Sequence, residues 1–108
     1  MKLIIAYIRP EVLQSVKCRL FAREIYSMSV TNVLGAGQQK GYTEMYRGVQ
    51  TEVNLLKKLR LEIGISDEDL KAALDAIEGG ARTGHEGDGV IFVLDIADCR
   101  RIRTGECL

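Results

Sequence analysis

Residues 55–81, LLKKLRLEIGISDEDLKAALDAIEGGA, change hydrophobic period once, and that change decides the fold. Over 55–65 apolar residues alternate with polar ones, so Leu59, Leu61, Ile63 and Ile65 fall on one face of a strand. From Leu70 the spacing becomes helical, with Leu70, Ala73, Leu74 and Ile77 in one stripe. Ser66 followed by Asp69 resembles a capping box between the two. Gly79 and Gly80 are expected to stop the helix.

The flanking sequence repeats this order. Lys2 to Ile8 is a short apolar run of β-favouring residues and reads as a buried strand. Pro10 and Glu11 open a helix whose inward stripe is Leu13, Val16, Leu20 and Phe21. From Tyr26 to Leu34 the pattern returns to β, with Val30 and Val33 as apolar anchors. Val90 to Ile96 is a last apolar strand. The order strand–helix–strand, twice, predicts an α+β protein with the ferredoxin-like βαββαβ arrangement. Two helices then cover one face of the sheet and leave the other bare, which predicts self-association.

A chain of 108 residues suits one domain, spanning 1–108. Its formal net charge of zero argues against a general nucleic-acid binder, which needs a basic excess to displace counterions. No apolar run reaches the roughly 18–20 residues needed to cross a bilayer, so an integral membrane protein is not expected. The start, MKLIIAYIRP, lacks the cleavage site of a secretory signal, and a cytoplasmic protein is expected. Cys18, Cys99 and Cys107 form no CxxC pair and no metal-like spacing with His85, the single histidine. They read as free thiols, with Cys107 exposed and open to redox chemistry as the alternative.

Between the halves runs an excursion of unusual length, about 37–54, where compact domains typically use about 4–6 residues. It holds Gln38, Gln39, Lys40, Glu44, Tyr46, Arg47 and Glu52 and little apolar matter. That composition suits a partner-binding or ligand-clasping loop, a long hairpin, or a plain solvated loop.

Three clusters suit an anion. Gly35-Ala36-Gly37-Gln38-Gln39-Lys40 ends a strand, and its glycines let backbone N–H groups approach a ligand, although a tight turn explains them equally. Gly84-His85-Glu86-Gly87-Asp88-Gly89 can wrap a phosphate with its backbone or serve as a flexible connection. His85 in that loop reads as a solvated side chain, not a catalytic base. In Arg100-Arg101-Ile102-Arg103, residues 101 and 103 point to one side if the backbone is extended. Guanidinium groups match phosphate oxygens bidentately, and a surface charge run is the alternative. No P-loop, HExxH, GxSxG or Ser/His/Asp arrangement appears, so no enzyme, no catalytic residue and no protein-held metal are expected. Asp67, Glu68 and Asp69 are explained by the helix dipole.

Three stretches together resemble the PII signal-transduction family: TNVLGAGQQKGYTEMYRG at 31–48, ARTGHEGDGVIFVLDI at 81–96 and RIRTGE at 101–106. The resemblance covers essentially the whole chain. It implies a homotrimer that binds ATP, ADP or AMP in the clefts between subunits. By position, Gly35, Gly37, Gln38 and Gln39 approach nucleotide or effector, and Ser29, Glu62 and Gly64 lie near the adenosine. Gly87, Asp88 and Gly89 offer backbone contacts to phosphates, and Arg101 and Arg103 reach them from the neighbouring subunit. The excursion corresponds to the T-loop, which contacts a target protein, here through Tyr42, Glu44, Tyr46, Arg47 and Thr51. Gln39, Lys40 and Lys58 correspond to the effector site, where 2-oxoglutarate is held through magnesium on ATP.

The departures from the family pattern carry their own expectations. Thr51 stands where many members have the tyrosine that is uridylylated, and Val49 where cyanobacterial members have the phosphorylated serine. Gln38 replaces a usual arginine and Val90 a usual lysine. A hydrogen bond to a charged group contributes about 1.5–3 kcal/mol, so the terminal phosphates lose most. ADP or AMP is therefore expected to bind at least as well as ATP. A poorly built magnesium bridge favours a smaller anion, as in the bicarbonate-sensing PII-like proteins associated with carboxysomes. The alternatives are a nitrogen-regulatory protein sensing ATP, ADP and 2-oxoglutarate, and a structural trimer without ligand-dependent signalling.

Overall fold

The computed structural model describes residues 1–36 and 55–108, together with the backbone of 44–46 and 49–51. Strand β1 (Lys2–Ile8) leads through a 3-10 turn (Pro10–Val12) into helix α1 (Leu13–Ala22). Strand β2 (Ser29–Ala36) follows, then short strands β3 (Glu44–Tyr46) and β4 (Val49–Thr51), then β5 (Leu55–Ile65). A second 3-10 turn (Asp67–Asp69) opens helix α2 (Leu70–Ala81), and β6 (Gly89–Asp95) closes the order. The main sheet runs β2-β5-β1-β6 with every neighbour antiparallel. This is the ferredoxin-like βαββαβ arrangement, with the β3–β4 hairpin inserted between its halves.

Alternation builds the core. Ile4, Ala6 and Ile8 of β1 and Leu59, Leu61, Ile63 and Ile65 of β5 are buried on one face. Val16 and Leu20 of α1 and Ala73, Ala76 and Ile77 of α2 close over them. Fully burying a Leu or Ile side chain contributes about 1.5–3 kcal/mol, so these two central strands carry the fold. The opposite face carries Leu3, Ile5 and Tyr7 beside Val90, Phe92 and Leu94, and among the described residues no element covers it. Phe92 is 51% exposed there.

Several local expectations are corrected. Gly79 and Gly80 lie inside α2, which ends one residue later at Ala81. A Cβ on Gly80 would stand 2.8 Å from Val16 Cα, so the glycine is where the two helices touch, not where one stops. No capping box forms: the Ser66 hydroxyl bonds the Asp69 carboxylate at 3.1 Å instead of a backbone N–H. Phe21 leaves the inward stripe and packs outside on Tyr26, ring centroids 5.4 Å apart. The segment after α1 stays irregular until Ser29, because Ile25 turns into the core and Tyr26 into solvent. Val30 and Val33 are three residues apart and face opposite sides of β2, pairing with Leu61 and Lys58, so they form no common row. The last strand is displaced by one residue to Gly89–Asp95.

After β6 the chain folds back on itself. Arg100 bridges Cys107, Arg101 N–H donates to the Glu106 carbonyl at 2.9 Å, and Leu108 N–H donates to the Cys99 carbonyl at 2.8 Å. No helix among the described residues is long and apolar enough to cross a membrane.

Candidate functional site

The glycine-rich loop between α2 and β6 is held from three sides. Gly84, Gly87 and Gly89 adopt positive φ values of 87°, 92° and 114°. Side-chain-bearing residues rarely adopt that region, so the sequence permits a path that few others could follow. At Gly89 the chain also crosses β1 so closely that a Cβ would lie 1.7 Å from the Tyr7 carbonyl oxygen.

Asp88 staples the loop to itself. Its carboxylate accepts the Thr83 hydroxyl, the Thr83 N–H at 2.8 Å and the Gly84 N–H at 2.9 Å. Arg9 Nε adds a contact at 3.2 Å. The Thr83 hydroxyl above all, with the two N–H groups and Arg9 behind it, holds this carboxyl well below the usual carboxylate range. The side chain is therefore an internal acceptor, and only the backbone at 88 remains for a ligand.

Two cations clasp the far side. Arg9 donates to the Glu86 carbonyl and Lys58 Nζ to the Gly87 carbonyl. Together with Pro10, Glu11, Ala36, Leu56, Lys57 and Glu86 they line a cleft of about 570 Å³ at the root of the 37–54 excursion. Three basic side chains against the two carboxylates of Glu11 and Glu86 leave a small basic excess beside a bent glycine backbone, a setting that can take a small anion. Arg9 had no place in the sequence reading. No local signal marks it: Ile8 pairs with both Gly89 and Leu59, and only that register brings the next residue out between loop and β5.

The remaining expected site residues divide into groups. Gly35 sits opposite Leu56, near the cleft, with Lys58 Cγ 3.6 Å from where its Cβ would be. Ser29 sits opposite Glu62, with Gly64 two positions on, all on the bare face of the sheet. Ser29 and Gly35 are the ends of a six-residue step along β2, about 20 Å at strand rise. The chain therefore presents these candidate residues as two separate groups, not as one pocket. Arg101 and Arg103 lie on the C-terminal hairpin, where Gly105 N–H donates to the Arg101 carbonyl at 2.8 Å. That turn overturns the premise of an extended backbone placing both arginines on one side. Both are exposed, as is Ile102 between them.

Gly37, Gln38, Gln39, Lys40, Tyr42 and Arg47 lie outside the described residues, as do the side chains of Glu44, Tyr46 and Thr51. The three thiols are free, and Cys107 is exposed. Among the described residues, no cluster of three or more His, Cys, Asp or Glu could hold a metal ion.

Comparison with known proteins agrees with this architecture over nearly its whole length. The family model described as nitrogen regulatory protein P-II matches residues 1–106. Nitrogen regulatory protein P-II 1 of Methanothermobacter thermautotrophicus is 50% identical over 106 residues, covering 98% of this chain and 92% of that protein. Nitrogen regulatory protein P-II of Rhizobium etli is 46% identical, covering 98% and 95%. Nitrogen regulatory protein GlnK of Escherichia coli is 42% identical with the same coverage. Bare sheet face, glycine loop, basic cleft and a match across 106 residues lead to one conclusion: the chain belongs to the P-II family of nitrogen regulatory proteins.

Proposed function

We propose that this protein is a nucleotide-responsive regulator that binds an adenine nucleotide and a small anion together, and passes their state to a target protein through the 37–54 loop. Proteins of this family are regulators that bind adenine nucleotides. The observation that carries the reading is the clasp of Lys58 and Arg9 on the glycine loop beside the basic cleft. An anion entering the cleft competes for the same two cations, so its arrival must be felt by the loop that would cradle phosphate.

Read as two half-sites, these groups support a homotrimer, with the whole chain acting as one unit. Ser29, Glu62 and Gly64 would meet the adenosine, and Gly35, Gly37, Gln38, Gln39, Gly87, Asp88 and Gly89 the phosphates. Arg101 and Arg103 would arrive from a neighbouring copy. Closing the bare face around Phe92 removes apolar area from water and brings such half-sites together.

For the anion, the relatives named as nitrogen regulators favour 2-oxoglutarate, held by Gln39, Lys40, Lys58 and Arg9 with magnesium on ATP. One observation favours the second reading, bicarbonate with ADP or AMP in inorganic-carbon metabolism. Val90, beside the glycine loop, presents an apolar and half-exposed side chain where a phosphate partner would stand. Calorimetry with ATP, ADP and AMP, each with 2-oxoglutarate or bicarbonate, separates the two. An anion that tightens nucleotide binding must itself bind more tightly with that nucleotide, because the coupling is reciprocal. Binding of no adenine nucleotide would overturn the proposal and leave the structural-trimer reading.

A further inference from the structure

Strand β5 carries Arg60 and Glu62 in succession on the bare face. Register puts Arg60 between Tyr7 and Thr31, and Glu62 between Ile5 and Ser29. The Arg60 guanidinium lies over the Tyr7 ring, 6.0 Å from its centroid, and Tyr7 meets Phe92 edge-on at 6.4 Å. Arg60 Nε stands 3.1 Å from Glu62 Oε1. That nitrogen is buried and its N–H is not aimed at the oxygen, so the contact is an ion pair without a hydrogen bond. Among the described residues, Glu62 is the one carboxylate on this face.

We propose that Arg60, held on the Tyr7 ring, is a positioning residue for nucleoside recognition, keeping the Glu62 carboxylate turned away from the apolar rows. The inference rests on the nucleotide reading above. An ionised carboxylate only accepts hydrogen bonds, so its ligand must donate, as the hydroxyls of a ribose do. Covering the bare face with another copy would withdraw water from Glu62, and an unpaired buried carboxylate is strongly disfavoured. Arginine stays charged at all relevant pH, and its planar head can stack on Tyr7 and still face Glu62. A lysine keeps the charge but loses the stack. Because the ion pair leaves the Glu62 oxygens short of a hydrogen bond from Nε, their acceptor capacity remains for a ligand.

The test is nucleotide titration of the full chain carrying Arg60→Gln, Arg60→Lys or Glu62→Gln, with assembly followed by analytical ultracentrifugation. Arg60→Gln weakens AMP, ADP and ATP by the same factor, about tenfold, because the lost contact lies on the nucleoside side. Arg60→Lys recovers part of that loss, and Arg60→Gln adds nothing in the Glu62→Gln background. Arg101→Gln differs in kind, its loss growing with the number of phosphates. A wild type that binds nucleotide and an Arg60→Gln variant that binds it equally would overturn the inference and leave the proposed function standing. A loss rising with phosphate number, or a further loss in the Glu62→Gln background, would overturn it too. Wild type that binds no adenine nucleotide defeats the proposed function first. Should Arg60→Gln disrupt assembly, Glu62→Gln carries the test: the phosphate-independent loss must appear there, and Arg60→Lys must change nothing further.

Discussion

Gly89 passes Tyr7 so closely that a Cβ at position 89 would stand 1.7 Å from the Tyr7 carbonyl oxygen. With φ at 114°, the position also excludes side chains on conformational grounds. Gly89→Ala must therefore move β6 away from β1 or rebuild the loop. We expect a loss of about 2 kcal/mol or more in urea unfolding, within the range of strained-backbone costs plus the clash. Unchanged stability would mean that the crossing is looser than described.

Gly80 separates two effects of opposite sign. Helix propensity alone makes Gly→Ala favourable by about 1 kcal/mol. Here the new methyl meets Val16 Cα at 2.8 Å and Val16 N at 2.9 Å, backbone that cannot swing aside. Gly80→Ala is expected to destabilise, with overpacking costing typically about 1–3 kcal/mol. A raised Tm would show that α1 and α2 can separate freely.

Asp88 predicts an acid-side pH dependence. Its carboxyl titrates below its ordinary value in the folded protein, chiefly because of Thr83. As pH falls below about 4, the unfolded chain binds this proton first and stability declines. The contribution is complete above the unfolded value and disappears only as pH falls through the folded one. Asp88→Asn should flatten the fall in stability between pH 5 and 2, measured by urea unfolding on a pH series, about those values being where free and held carboxylates separate. A slope equal to wild type would locate the acid sensitivity elsewhere.

Lys58→Gln and Arg9→Gln test the cleft. Each removes one of the cations that hold the glycine loop, Lys58 at the Gly87 carbonyl and Arg9 at the Glu86 carbonyl. Both are expected to reduce the anion-induced shift in nucleotide affinity by about tenfold or more, the scale of a charge-assisted contact. Calorimetry with and without 2-oxoglutarate or bicarbonate measures it. A full anion response in both variants would remove the cleft from the mechanism.

Phe92→Glu tests the bare face. A charge placed at the exposed centre of that apolar row disfavours its burial against another copy. Ultracentrifugation should report a monomer with circular dichroism unchanged, whereas a persistent trimer would mean that association uses another surface.

The inward face of β5 and the stripe of α2 were legible because period is local. Leu59, Leu61, Ile63 and Ile65 all turned inward, as two-residue alternation requires. Gly80 was misread because a glycine near a helix end looks like a stop until the opposite helix is seen. Phe21 was misread because helical spacing continued past the end of the core, where Tyr26 and Lys17 are its neighbours. Arg9 was missed because its role depends on a carbonyl seventy-seven residues away. The condition of an extended backbone at Arg101 and Arg103 is not met, because Gly105 closes a turn there.

By itself, the sequence of 55–81 determined a strand followed by a helix, and with its repeat determined βαββαβ, because alternation and helical spacing are properties of neighbouring residues. It also marked 84–89 as a glycine loop able to wrap a phosphate or to serve as a flexible connection. Only the tertiary structure decided that Asp88 closes that loop inward, that Arg9 and Lys58 hold it from outside, and that Ser29 and Gly35 lie a strand's length apart. The contacts of Arg9 and Lys58 join residues distant in the chain, and their geometry exists only once the sheet has set the register.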